Sequence, residues 1–165
     1  LLGLIRIKAL MIKINVITSN LNWFQYIKSP NSYIDRKIKK LNSKNKKRFK
    51  NEFFCNLLLS DEKEIKFLNK KFRKKNKTTD ILSFPFHTNK ELKKEIKKEK
   101  EIYLGDIIIN LNKIEFRNHL KKFKNEFDRL WIHGLVHLFG YDHKKNSDFI
   151  EMNKIERKYL NSINA

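Results

Sequence analysis

The 165-residue chain is predicted to fold as an α+β domain. A small mixed four-stranded sheet packs with about five helices, and a metal site lies at the end of a central helix. Two observations carry the architecture. Short apolar runs bounded by polar residues read as strands, and the segments between them place apolar residues three and four apart, the period of an amphipathic helix. Strands and helices are interleaved with no internal repeat, as in mixed two- or three-layer folds. The metal site rests on a third observation, three histidines within eleven residues around the end of the helix expected over 125–139. The length suits one domain, taken as residues 11–165, with 1–10 as an extension upstream of Met11.

The elements follow in chain order. Met11–Ile17 alternates apolar and polar residues like a half-buried strand. A short helix is expected around Trp23. A longer one over 32–49 places Ile34, Ile38 and Leu41 on one face and lysines on the other. Phe53–Leu59 reads as a buried strand. Asp61 with Glu64 three later is a helix-start signature, and Ile65, Leu68 and Phe72 continue at helical spacing. Residues 73–80 are polar and basic. Ile81–Phe86 is a short strand in which Pro85 demands an edge position or the strand's end. The Lys/Glu-rich segment 88–100 reads as a mobile loop or a solvated helix. Gly105–Asn110 is the fourth strand. Helices are expected over 112–123, 125–139 and 148–160.

Composition narrows the function. Hydrophobic residues make up 40% and aromatics 12%, enough for a core, so wholesale disorder is excluded. No apolar run approaches the roughly 18 residues of a membrane helix, and residues 1–10 lack a signal peptide's cleavage pattern. A cytoplasmic protein with no membrane partner is expected. The single cysteine, Cys55, excludes an internal disulfide and a cysteine-based metal cage. The net charge of +20 points to polyanions, nucleic acid first. Only seven of the 38 basic residues are arginine, the residue that reads phosphate bidentately. The lysines accompany many Asn, Ile and Phe, all with A/T-heavy codons, so compositional drift competes with function as their source.

The histidines carry the chemistry. His133 and His137 are four apart and share one face of a helix. Gly140 can end that helix in a left-handed turn and let the chain deliver His143. Three imidazoles suit one zinc ion and leave a fourth position for water, whose pKa the metal lowers. The spacing equals that of the metzincin proteases, H-E-x-x-H-x-x-G-x-x-H. The glutamate that acts there as general base is Gly134 here, which argues against peptide hydrolysis. His87 and His119 lack such spacing and read as ordinary surface or partly buried residues.

The run His133–His143, with Gly134, Leu135, Leu138, Gly140, Tyr141 and Asp142 between, resembles the H-G-x-L-H-L-x-G-Y-D-H signature of the YbeY family. These are bacterial endoribonucleases and ribosomal RNA maturation factors. Leu68-Asn69, Phe72-Arg73 and Thr79–Pro85 are similar to the family's L-N-x-x-(Y/F)-R and P-T-D-V-L-S-F-P, and Leu104–Ile109 to L-G-D-I-x-I. Order and spacing match over about Met11 to Leu160. Thr78 stands where the family usually has proline, losing a fixed φ before the strand, and Val136 where it has leucine.

The resemblance implies one zinc ion on His133, His137 and His143. It also implies single-strand-specific cleavage of RNA, with roles in maturing the 3′ end of small-subunit (16S) ribosomal RNA and in ribosome quality control. The implied partners are ribosomal RNA and the small ribosomal subunit, with a small-subunit ribosomal protein and an assembly GTPase as further contacts. Arg73 falls on the family's functional arginine, in a basic cleft near the metal, and with His137 is the expected catalytic pair. Arg73 could clamp phosphate oxygens, and Lys74, Lys75 and Lys77 could add non-specific attraction or simply form a solvated loop. Asp106 and Asp142 are candidates for orienting ligand imidazoles, or else turn residues. Two attacks are open, by zinc-bound hydroxide or by the RNA 2′-hydroxyl, and they leave different ends. Two other functions remain in play: a zinc metallopeptidase-like hydrolase, and a non-enzymatic ribosome assembly factor with a structural metal.

Overall fold

The computed structural model describes residues 11–43, 51–142 and 146–165. Its four strands are β1 (Met11–Thr18), β2 (Glu52–Ser60), β3 (Ile81–Pro85) and β4 (Glu101–Asn110), in the spatial order β1-β2-β4-β3. The two pairings β1·β2 and β2·β4 are parallel, and β3 runs antiparallel on the outer edge of β4. Pro85 therefore sits where a missing ladder donor costs least, as its sequence position requires.

Among the described residues there are five α-helices: α1 (Pro30–Ser43), α2 (Glu62–Arg73), α3 (Asn89–Lys98), α4 (Leu120–Leu138) and α5 (Asn146–Asn164). The α+β class with a mixed four-stranded sheet is as the sequence predicts. Helix α4 lies on one sheet face and α1 and α5 pack around it. Their shared core runs from Ile12, Ile14 and Leu57 through Ile107 and Ile109 to Phe127, Trp131 and Leu135. The α1–α4 contact closes on the buried carboxylate of Asp128. It accepts hydrogen bonds from Tyr33 Oη at 3.1 Å and Trp131 Nε1 at 3.0 Å, and pairs with Lys37 Nζ at 2.9 Å. A charge only 1% exposed is tolerable because all these donors reach it.

Helix α2 covers only part of the opposite face, where Ile65 packs with Leu82 and Ile108. Asp61 caps it, its carboxylate accepting from the Glu64 backbone N–H at 3.0 Å. Among the described residues, the rest of that face is open.

Several boundaries differ from expectation. The helix expected over 32–49 begins at Pro30, and residues 44–50 lie outside the described residues. The short helix at Trp23 is a 3-10 turn over Leu21–Gln25. The charged segment 88–100 is a helix with a capping box at Thr88 and Glu91, and it buries Leu92 against the core. The two helices expected over 112–123 and 125–139 are one. Leu111–Lys113 forms a 3-10 turn, Phe116 takes φ +60°, and His119 caps α4 by accepting from Lys122 N–H at 3.4 Å. Leu111 and Ile114 are buried from a loop, so their apolar spacing imitated a helix face.

Candidate metal centre

His133 and His137 lie one turn apart on α4, both half-buried. Each ring is held at Nδ1. His133 Nδ1 is 2.7 Å from Glu156 Oε1 on α5, and His137 Nδ1 is 2.9 Å from the carbonyl of Tyr141. A carboxylate and a carbonyl can only accept, so each Nδ1 donates and a neutral ring keeps its lone pair on Nε2. The two Nε2 atoms face one another across 3.1 Å. Two nitrogen ligands of one tetrahedral zinc ion stand roughly 3.3 Å apart. The donor pair thus fits a shared cation without rearrangement. His143 lies outside the described residues, and among the described residues no three metal-ligating side chains form a cluster.

The local chain path explains this geometry. Gly140 takes φ +88°, and its N–H donates to the His137 carbonyl at 2.9 Å, which folds Tyr141 back under the His137 ring. A Cβ on Gly140 would stand 1.9 Å from Asn89 Oδ1, while Asn89 Nδ2 donates to the Gly140 carbonyl at 3.1 Å. The turn leading towards His143 is therefore fastened to the start of α3. Gly134 has a different reason. A Cβ there would lie 2.7 Å from Ile107 Cγ2 and 3.1 Å from Ile81 Cδ1. Position 134 faces the sheet at close approach, so the glutamate of the protease pattern has no room.

The histidines open into a cleft of about 900 Å³ beside the edge strand β3. Ile81, Ser83 and Pro85 form one wall, and Arg73, Lys75 and Asp142 also line it. Arg73 ends α2 and reaches around the sheet edge. Its Nη2 donates to the Ser83 carbonyl at 2.8 Å, and its guanidinium lies 5.4 Å from the centre of the Phe84 ring. These two contacts aim a charge with donors to spare along the cleft rim.

The remaining expected residues divide. Lys74 and Lys77 do not line the cleft. Lys74 is the left-handed cap of α2 (φ +58°), and the Lys77 carbonyl accepts from Asn69 Nδ2 at 2.8 Å. Asp106 is on the other sheet face, away from the histidines, where it accepts from Asn56 Nδ2 at 2.8 Å and from the Tyr103 hydroxyl. Burial, reinforced by the Asp106 carboxylate, pushes the Tyr103 phenol above its ordinary range. His87, read from sequence as an ordinary residue, lines the cleft. Glu156 was not anticipated. It lies 23 residues beyond His133 and carries no local signal.

No helix among the described residues is long and apolar enough to cross a membrane. Residues 20–164 match the family model described as Endoribonuclease YbeY. A protein named Endoribonuclease YbeY from Pelagibacter ubique is 40% identical over 151 residues, spanning 88% of this chain and 92% of the relative. One of the same name from Thermodesulfovibrio yellowstonii is 35% identical over 132 residues, spanning 78% and 76%. The solution structure of TM1509 from Thermotoga maritima superposes with a TM-score of 0.57 at 23% identity, covering 92% of this chain and 89% of that one. That likeness concerns the fold.

Proposed function

The chain belongs to the endoribonuclease YbeY family, and from that premise we propose that it is a zinc-dependent, single-strand-specific endoribonuclease. Its proposed task is to mature the 3′ end of small-subunit ribosomal RNA and to act in ribosome quality control in the cytoplasm. The carrying observation is the pair of Nε2 atoms 3.1 Å apart, each ring fastened at Nδ1, in a cleft that Arg73 overlooks.

His133 and His137 would hold the ion, with His143 as the third ligand. A bound zinc ion supplies Lewis acidity and a water of lowered pKa. The chain's own residues do the rest. Glu156 and the Tyr141 carbonyl keep both imidazoles in the Nδ1–H tautomer and in position. Arg73, braced by Ser83 and Phe84, takes the non-bridging oxygens of the scissile phosphate. Lys75, at the same cleft, adds attraction that weakens with salt. The close approach at Gly134 counts against the peptidase reading, since no carboxylate fits at that position. Small-subunit ribosomal RNA is the proposed substrate. A small-subunit ribosomal protein and an assembly GTPase are proposed contacts.

Metal analysis of the purified protein, with RNA cleavage by wild type, His137→Ala and Arg73→Ala, tests this reading. Stoichiometric zinc is expected, with cleavage lost in both variants. A metal-free wild type that cleaves, or undiminished cleavage by His137→Ala, would overturn it.

A further inference from the structure

The part of the sheet that α2 leaves open carries two rows of side chains. The strand register aligns Asn15, Asn56, Asp106 and Phe84 across β1, β2, β4 and β3. The neighbouring row contains Lys13, Phe54 and Tyr103, and Phe86 extends it past the end of β3. A bulge builds this face. The register slips between Phe54 and Cys55, and Gly105, at φ +131°, absorbs it. Without the extra residue, Tyr103 and Asp106 would fall on opposite faces. With it, the Tyr103 hydroxyl donates to the Asp106 carboxylate.

The rings form a continuous track. His87, in the cleft, meets Phe86 with centroids 4.9 Å apart. Phe86 meets Tyr103 at 5.3 Å, and Tyr103 meets Phe54 at 5.3 Å. Phe86 is 66% exposed and Phe54 39%. Beside the track, Phe72 packs on Phe84 at 5.5 Å, and Phe84 in turn carries the Arg73 guanidinium. Lys71 Nζ stands 5.3 Å from the Phe72 ring. A contiguous exposed set of rings is costly in water unless something covers it. Rings beside amide and carboxylate groups, on a chain of charge +20, suit unpaired bases. Ring faces stack on any base, and polar groups meet the base edges. Asn56 spends both amide hydrogens on Asp106 and the Tyr103 hydroxyl, so the pair offers acceptor oxygens to such edges, while Asn15, which donates to Asn56 Oδ1, has a second amide hydrogen.

We propose that the open sheet face, from His87 at the cleft through Phe86 and Tyr103 to Phe54, is a stacking track for single-stranded RNA. The track holds nucleotides adjoining the one whose phosphate occupies the cleft, the strand passing around edge strand β3 beside Arg73. The proposal rests on the endoribonuclease reading for the cleft, and its test does not depend on cleavage.

The probes are 2′-O-methyl oligouridines of 4 and 12 nucleotides, which lack the 2′-hydroxyl nucleophile, with their integrity after each titration checked on a denaturing gel. Wild type should bind the 12-mer much more tightly than the 4-mer. Combined Phe54→Ala and Phe86→Ala should weaken 12-mer binding by about tenfold or more, as expected for loss of ring–base stacking. Combined Phe54→Tyr and Phe86→Tyr should retain it, which separates lost stacking from misfolding. A third variant, Phe86→Trp, reports directly. The 12-mer should quench its added emission, whereas Trp23 and Trp131 are wholly buried. Unchanged 12-mer affinity in the double-alanine variant, with no quenching at position 86, overturns the track. So does a double-alanine variant that binds RNA normally but loses self-association or binding to a ribosomal protein. Absent cleavage by wild type with ring-dependent 12-mer binding would refute the nuclease reading and leave the track standing.

Discussion

Gly134 lies so near Ile107 that a single added carbon would stand 2.7 Å from its Cγ2. Alanine normally favours a helix over glycine by about 1 kcal/mol, but here the collision opposes that gain. We expect Gly134→Ala to be destabilised by up to about 2 kcal/mol, the usual cost of overpacking less the propensity gain. Gly134→Glu should fail to fold, since it adds a buried carboxylate to the clash. Denaturant melts measure both. A Gly134→Ala protein more stable than wild type would mean that Ile107 yields.

Glu156 reaches His133 from another helix, and such partners set ligand orientation. Glu156→Gln should weaken zinc binding by about 10–100-fold with little loss of fold. Competition against a chelator reads the affinity, and circular dichroism the fold. Equal affinity in the variant would show that the ring is aimed by packing alone.

Arg73 is exposed, and its contacts are to a backbone carbonyl and a ring. Arg73→Ala should therefore melt close to wild type yet cleave RNA at least about tenfold more slowly, an effect of lost phosphate contact. Arg73→Lys should recover only part, because lysine lacks the planar fork. Single alanine substitutions of lysines remote from the cleft, such as Lys39, should leave cleavage within about twofold.

Cys55 sits in β2, 1% exposed, and burial, with a smaller push from Asp106, raises its thiol to about 12. The native protein at pH 8 should thus resist a thiol reagent and react in full once denatured. Fast labelling of the folded protein would contradict the burial.

Asp61 accepts the Glu64 N–H at the start of α2, and that bond chiefly holds its carboxyl below the usual range. A depressed folded pKa stabilises above the unfolded value near 3.9 and is lost as pH falls through the folded one. Stability should accordingly drop in acid, and Asp61→Asn, which can still cap, should remove part of that slope. Melts between pH 2 and 6 give the comparison. Parallel slopes would assign the acid loss to other carboxylates.

The residues most legible in the sequence were those whose partners are close in the chain. His133, His137 and Gly140 sit within one helix and its end, where period and turn chemistry are local. Asp61, Glu64 and Pro85 announced a cap and an edge for the same reason. Helix α4's true start was hidden, because Leu111 and Ile114 bury themselves from a loop with helix-like spacing. The side that Asp106 faces depends on a bulge whose only trace is Gly105. His87 and Glu156 enter the site through the packing of α3 and α5, which no short window records.

The contact between Glu156 and His133 also sets an order of assembly. Helix α5 follows every other described element in the chain, and domains emerge from the ribosome with their earlier segments first. The sheet, the edge strand and both histidines can come together while the residue that aims one of the rings is still to be made. The pair of histidines would thereby gain the carboxylate that aims one of its rings only after the sheet and the ring itself have been made.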